Sequence, residues 1–149
     1  MKQIKQISNG ANFTAISLGN LAELSNYVLT LSPEIQIPGK VFLGGALATT
    51  GAELSFQSFA VGAETGFLHT HKNHEEVYIF LAGQGEFQVD GEIIPVCEGS
   101  VVRVAPNGKR SVRNVGDSEL VMICIQYKAD SFSEEDAADG NILSEEVKW

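Results

Sequence analysis

The chain has 149 residues, a formal net charge of −9 at pH 7 and 44% hydrophobic residues. This length predicts a single domain with one substantial core. The acidic balance disfavours binding to nucleic acid, whose phosphates require clusters of lysine and arginine, and binding to anionic membrane surfaces. No apolar stretch approaches the roughly 20 residues that span a bilayer, and the first residues show no apolar signal core. We therefore expect a cytoplasmic protein that binds neither nucleic acid nor membrane.

Residues 1–40 have the least regular pattern, and we expect them to form an N-terminal extension. Residues 13–18 alternate like an edge strand. Asn20 precedes a short helical pattern in which Glu23 is placed for a capping box. Pro38-Gly39 then breaks regular structure and leads the chain into its main body.

The main body, residues 41–127, consists of short strand-like segments separated by turn signals. Asp90-Gly91 is the strongest hairpin signal in the chain. Residues 120–127 are almost continuously apolar, which is expected for a strand buried on both faces or for a pair of edges folded inward. So many short strands predict an all-β sandwich or barrel. The predicted strands are 54–59, 76–81, 86–89, 92–94, 101–104 and 120–127.

After residue 127 the composition changes to an acidic C-terminal tail, residues 128–149. The runs 133–136 and 144–146 each begin with serine followed by acidic residues, a pattern that opens brief helices. We expect a solvated tail or a short helix docked on the barrel rather than a dedicated partner site.

The strongest functional signal is His69-Thr70-His71 followed by Glu76. Two imidazoles one residue apart on an extended strand project from the same face, and a carboxylate five residues later can return to the same point. Two neutral imidazoles and one carboxylate leave about three positions open on a six-coordinate ion, an arrangement that suits Fe, Mn, Ni or Zn. His74 is either an alternate ligand or a loop histidine near the site.

These residues resemble the first motif of the cupin family, in which Gly83 takes the position of the closing glycine. The leading glycine is displaced, because Ala63 occupies its place and Gly62 lies beside it. A second motif is framed by Gly99, Pro106, Asn107, Gly108 and Asn114. The resemblance covers residues 41–127.

The resemblance implies a cupin-type jelly-roll β-barrel, or double-stranded β-helix, with a metal or ligand in the barrel mouth. Family members include metal-dependent dioxygenases, isomerases and decarboxylases, so the resemblance does not choose a reaction or decide that the chain is an enzyme. Single-domain cupins commonly pair, which implies a homodimer here. The exposed strand edges of an open sandwich give a physical motive for that pairing.

The second motif departs from the family at one position, because Arg110 stands where the family usually has a third histidine. A guanidinium is always charged and cannot ligate a metal. Either the metal keeps only His69, His71 and Glu76, or Arg110 points inward and leaves a metal-free pocket. An inward Arg110 would pair with Glu76, whereas an Arg110 at the rim would hold a substrate carboxylate or phosphate.

The leading interpretation is a small metal-binding cupin that binds or transforms a small polar or anionic molecule in the barrel mouth. The alternative is a metal-free, non-catalytic cupin that binds a sugar or an organic acid through Arg110 and nearby polar residues. Gln57 and Tyr78 are candidate pocket residues on predicted strands, and Phe80 shares the face of Tyr78. Core packing is the competing role for Tyr78 and Phe80, and an outward-facing position is the alternative for Gln57.

Overall fold

The computed structural model describes residues 2–149 and contains twelve strands in that range. Their bounds are β1 (Lys5–Asn9), β2 (Thr14–Ser17), β3 (Val28–Thr30), β4 (Gln36–Pro38), β5 (Lys40–Phe42), β6 (Ala52–Phe59), β7 (His74–Ala82), β8 (Gln84–Val89), β9 (Glu92–Cys97), β10 (Val101–Val104), β11 (Arg110–Asn114) and β12 (Leu120–Lys128). Short helices are α1 (Gly44–Leu47), α2 (Glu134–Ala137) and a 3₁₀ helix at Leu21–Asn26.

Two antiparallel sheets form the body of the molecule. One has the strand order β10-β7-β12-β6-β5 and the other has the order β11-β8-β9. Two further pairs, β1-β2 and β3-β4, come from the first forty residues. The all-β jelly-roll expectation is therefore confirmed. The limits 1–40, 41–127 and 128–149 stay predictions, and β5, which begins at Lys40, already belongs to the five-stranded sheet.

The main core lies between the two sheets, because alternate side chains of their strands project inward. Phe80 and Phe87 are each 1% exposed, and Leu120 is fully buried. Asn114, a residue of the second motif, ties the strand ends together, since its amide nitrogen donates to the carbonyls of Phe59 (2.9 Å) and Ser118 (2.8 Å). The centre of the interior is thus apolar, and the hydrogen bonds of Asn114 connect the strand ends at its edge.

A second core covers the outer face of the five-stranded sheet. Leu24 and Tyr27, in and just after the 3₁₀ helix, pack with Val41 and with Val121 of β12. The expectation of a strand buried on both faces therefore holds at the start of the run 120–127, where Val121 is buried in this core, whereas Ile123 and Ile125 on the same face are half-buried. The N-terminal residues are therefore part of the packed body.

The start of the 3₁₀ helix differs from the predicted capping box. The Asn20 side chain accepts a hydrogen bond from the backbone nitrogen of Ala22 at 3.1 Å. Glu23 instead forms an ion pair with Lys2 at 2.9 Å. The sequence shows the acidic residue at this position, but it does not indicate that Lys2, far away along the chain, is its partner.

The acidic tail contains one of its two predicted brief helices. Ser133 and Asp136 form a capping box at α2, with the Ser133 backbone nitrogen donating to Asp136 at 2.6 Å. Residues 144–146 are not helical. The apolar side chains of Ile142 and Trp149 are fully or almost fully exposed. Across residues 2–149, the helices are too short or too polar to cross a membrane.

Gly83 carries the chain from the five-stranded sheet to the three-stranded one between β7 and β8. Its φ is +82°, and a Cβ there would lie 2.4 Å from the Glu119 carbonyl oxygen and 2.8 Å from the Leu120 Cα. Gly91 also has a positive φ, +89°, but the described residues leave the space beside it open. The motif glycine is therefore required for both its conformation and its close backbone contact.

We expect Gly83→Ala to lower the free energy of unfolding by about 2–4 kcal/mol, because conformational strain and overpacking add. Gly91→Ala is the matched control, where strain alone costs about 1 kcal/mol. Urea denaturation of both variants measures the difference. Equal losses would show that the contact with Glu119 and Leu120 is not a packing constraint.

Candidate metal centre and cavity

The histidine segment runs antiparallel to β11 and meets it at isolated bridges rather than along a continuous strand. The His69 and Arg110 backbones exchange hydrogen bonds of 3.3 and 3.1 Å, and the His71 nitrogen donates to the Pro106 carbonyl at 2.9 Å. The sequence analysis placed the two histidines on a regular strand. The bridges nevertheless bring both imidazoles to the side of the barrel that contains Glu76.

Glu76 projects inward from β7 and is 2% exposed. Its Oε1 lies 3.1 Å from His71 Nε2, and its Oε2 lies 3.8 Å from His69 Nε2. One candidate ligand atom from each of these three residues lies within 4.8 Å of the others. A single cation could therefore contact two nitrogens and one oxygen here.

Arg110 points into the barrel, so the structure decides between the two orientations considered from the sequence. Its side chain is fully buried, and Nε donates to Glu76 Oε2 at 2.9 Å. Nη1 donates to the carbonyls of Gly108 at 2.7 Å and Pro106 at 3.2 Å. The turn before β11 thus encloses the guanidinium and directs it at the carboxylate. Arg110 is not at the rim.

Three further donors surround Glu76. The Tyr78 hydroxyl donates to Oε2, while Gln126 Nε2 donates to Oε1 at 2.7 Å. The Cys124 thiol lies 3.4 Å from Oε1. Cys124 and Gln126 were not identified from the sequence. One sequence feature could have identified them: Gln126 is a polar residue in a long apolar run, and it lies two positions after Cys124 and so on the same face of the strand.

The surroundings set the protonation states that a cation requires. Burial by itself raises the pKa of the Glu76 carboxyl, but His69, Tyr78 and the Arg110 guanidinium together hold that pKa well below its usual range. Burial lowers the pKa of His71, and the Arg110 charge acts in the same direction against the opposing effect of Glu76. The carboxylate is ionised and the His71 imidazole is neutral at pH 7, as metal ligands must be.

A buried imidazole nitrogen without a partner also fits a metal. Among the described residues, His69 Nδ1 and His71 Nε2 have no hydrogen-bond partner. His71 Nε2 is near Glu76 Oε1, but the angles are not those of a hydrogen bond. A buried polar atom without a partner is costly. Coordination would satisfy His71 Nε2, which faces Glu76, so the three side chains fit a divalent metal ion with an incomplete ligand set.

The three residues of the site line a cavity of about 670 Å³. Gln57, half-buried on β6, and Tyr78 line this cavity, as does Arg110. Phe80 does not line it; it lies in the core with its ring centroid 6.3 Å from that of Phe87. His74 is exposed at the start of β7, its ring centroid 6.2 Å from that of His71, and it lies outside the three-residue group.

Lys40 and the β3-β4 hairpin are cavity residues that the sequence analysis did not identify. Lys40 Nζ donates to Ser55 Oγ at 3.0 Å and lies 5.1 Å from the centroid of the Phe42 ring. The hairpin contributes Leu31 and Ile35 from its tip. The pairing of distant strands creates these neighbours, so local sequence patterns carry little signal for them.

Comparison with known proteins identifies the fold family. The family model for the cupin domain matches residues 55–126. The structure of a cupin protein from Bacteroides fragilis is 36% identical, and the match covers 77% of this chain and 94% of that one with a TM-score of 0.67. The chain belongs to the cupin family. A Thermotoga maritima structure described as a predicted oxalate decarboxylase is 20% identical over 68% of this cupin and 90% of that chain, with a TM-score of 0.57, and shows the same fold.

Two curated relatives match this cupin over shorter regions. One is an uncharacterized protein from Methanocaldococcus jannaschii, 33% identical over 67 residues, which are 45% of this chain and 53% of the relative. The other is an oxalate-binding protein from Thermotoga maritima, 30% identical over 64 residues, which are 43% of this chain and 52% of the relative. The matches therefore span about half the length of these two proteins.

The buried pair makes a stability prediction. Arg110→Met leaves the Glu76 carboxylate buried without its cation, and we expect a loss of about 3–5 kcal/mol in the free energy of unfolding. Arg113→Met on the same strand is the control: its pair with Glu86, at 2.5 Å, is half-exposed, and its loss contributes at most about 1 kcal/mol. Chemical denaturation measures both. A loss for Arg110→Met no larger than that for Arg113→Met would contradict the role of the buried pair.

Proposed function

We propose that this cupin binds one divalent transition metal ion (Fe, Mn, Ni or Zn) through His69, His71 and Glu76, and that it binds or transforms a small anionic molecule in the adjoining cavity. The observation that carries the proposal is the convergence of two partly unsatisfied imidazoles on one buried, ionised carboxylate. The Glu76 carboxylate is ionised and the His71 imidazole is neutral, which are the forms that bind a cation. All three side chains line a cavity that a small molecule could fill, which supports the proposal.

A metal at this position would polarise or activate a bound small molecule, as divalent ions do in open sites. The protein's own residues do the positioning. Gln126 and Arg110 hold the two oxygens of Glu76 in a fixed orientation, and the Pro106–Gly108 turn holds Arg110. These contacts correspond to the second shell of hydrogen bonds that orients ligands in metal sites.

The charges at the site support an anionic guest. The Arg110 guanidinium already balances the Glu76 carboxylate, so a divalent ion added to the pair leaves a buried excess of positive charge. An anion entering the open positions would offset that excess. The oxalate-binding relative is consistent with this charge preference.

A metal-free binding protein is the second candidate, and the Arg110–Glu76 pair is the observation that favours it. The guanidinium engages Oε2, and Gln126 and Cys124 surround Oε1, so the carboxylate is satisfied without a metal. In this alternative the histidines, Gln57 and Tyr78 would bind a sugar or an organic acid by hydrogen bonds.

Metal analysis separates the two candidates. We expect the purified protein, or protein stripped with a chelator and titrated with Fe, Mn, Ni or Zn, to hold about one equivalent of metal. The double variant His69→Ala/His71→Ala should lose at least tenfold in metal affinity, because it removes two of three ligands. His74→Ala, which changes a neighbouring exposed histidine, should retain the metal.

The measurements are elemental analysis and calorimetric titration, with circular dichroism to check folding of each variant. A folded wild-type protein that takes up none of the four metals would exclude the metal-binding proposal and leave the metal-free one. Equal loss in His74→Ala would show that the ligand set is wrong.

We also propose that the protein forms a homodimer, as the family resemblance implies. β10 and β5 are the outer strands of the five-stranded sheet, and β9 is an outer strand of the other. Val101 on β10 and Ile93 on β9 are 62% and 53% exposed, so pairing would cover apolar edges. Light scattering should give about twice the monomer mass of 16.0 kDa. Monomer alone across a wide concentration range would contradict this proposal. The cytoplasmic location stays a prediction.

A further inference from the structure

The cavity is larger and more apolar than a small polar acid requires. Its volume of about 670 Å³ lies in the range of roughly 300–1,000 Å³ that encloses a drug-sized ligand. A two-carbon diacid at the histidines would leave most of that space unfilled. The chemistry of the remaining lining residues therefore indicates which chemical groups the ligand has beyond its charged group.

Apolar side chains of separate segments also line the cavity. The β3-β4 hairpin contributes Leu31 and Ile35, which are 61% and 53% exposed although they line a cavity. Phe42 of β5 and Phe67 from the histidine segment line it too, and they are 37% and 56% exposed. Four large apolar side chains around one cavity favour an apolar guest, whose burial releases water from them.

The cavity lining also includes two basic side chains and one buried carboxylate. Lys40 and Arg110 both line the cavity with Glu76, and the charge of Glu76 acts on the pKa of Lys40 against the lowering by burial. Arg110 Nη2 is buried and, within the described part of the chain, has no hydrogen-bond partner. In a protein of net charge −9, two of ten basic residues line this cavity. Lys40 and the remaining donor of Arg110 therefore suit an anionic head group.

We propose that the ligand is an amphipathic carboxylate, with its acid group near Lys40 and Arg110 and a hydrocarbon or aromatic body against the apolar side chains that line the cavity. The β3-β4 hairpin is then the specificity-determining element, because Leu31 and Ile35 meet the body of the ligand. The inference rests on the proposed function in taking the polar residues of the cavity as the anion site. It departs from a purely polar substrate such as a short diacid.

The test is calorimetric binding of a series of straight-chain monocarboxylates, from acetate to decanoate, with oxalate and octanamide as comparisons. The protein is used as purified, with its metal content measured. Each added methylene should tighten binding roughly two- to fourfold until the cavity is full. Octanoate should bind at least tenfold more tightly than oxalate and than octanamide, since oxalate lacks the apolar body and the amide lacks the charge.

The hairpin is tested with Leu31→Ser/Ile35→Ser against Ile7→Ser/Phe13→Ser. The second pair removes comparably exposed apolar side chains from the β1-β2 hairpin, and neither Ile7 nor Phe13 lines the cavity. The first variant should bind octanoate at least tenfold more weakly and leave acetate binding unchanged. The control variant should bind both acids as the wild type does. Lys40→Met should reduce the preference for octanoate over octanamide.

The outcomes separate this inference from the proposed function. Affinity that does not rise with chain length, or failure of every acid in the series to bind, would overturn the amphipathic ligand. Either result leaves the metal-binding proposal intact if about one equivalent of metal is found. Length-dependent binding to a protein that takes up no metal would support the ligand class and reject the metal. An equal effect of the two hairpin variants would overturn the role of the β3-β4 hairpin.

Discussion

The rest of the site depends on one buried ion pair, Arg110 with Glu76. Removing two charges from water is expensive, and their attraction compensates only when the geometry is good and the other polar atoms are satisfied. Here the guanidinium is fixed by two turn carbonyls, and the carboxylate also accepts from Tyr78 and Gln126. Three strands, β7, β11 and β12, therefore meet at a single carboxylate. This arrangement makes Glu76 a rigid anion even before any guest binds.

The same pair explains how a family fold could accept a substituted motif. Replacing a ligating imidazole by a guanidinium removes one donor and adds one charge. The barrel accommodates the charge with an existing carboxylate, while His69 and His71 stay on the adjacent segment beside it. The site thereby changes from three imidazoles and one carboxylate, with a net charge of about −1, to two imidazoles beside an ion pair of zero net charge.

Local patterns predicted the parts of the structure that depend on neighbours in sequence. The alternation of apolar residues gave most strands of the two main sheets, Asp90-Gly91 gave its turn, and the spacing of His69, His71 and Glu76 pointed to residues that the fold does bring together. Long-range pairing decided the rest. The inward direction of Arg110 depends on the turn before β11, and the place of Lys40 depends on which strand pairs with β6. Neither is encoded in a short window.

β12 separates two environments by the thickness of a single strand. Val121 packs into the N-terminal core on one face, while Cys124 and Gln126 approach Glu76 on the other. Any sideways displacement of this strand would change both. Substitutions among the apolar residues on the outer face of the sheet can therefore displace the residues on its inner face. We expect such substitutions to co-vary with those that change ligand preference.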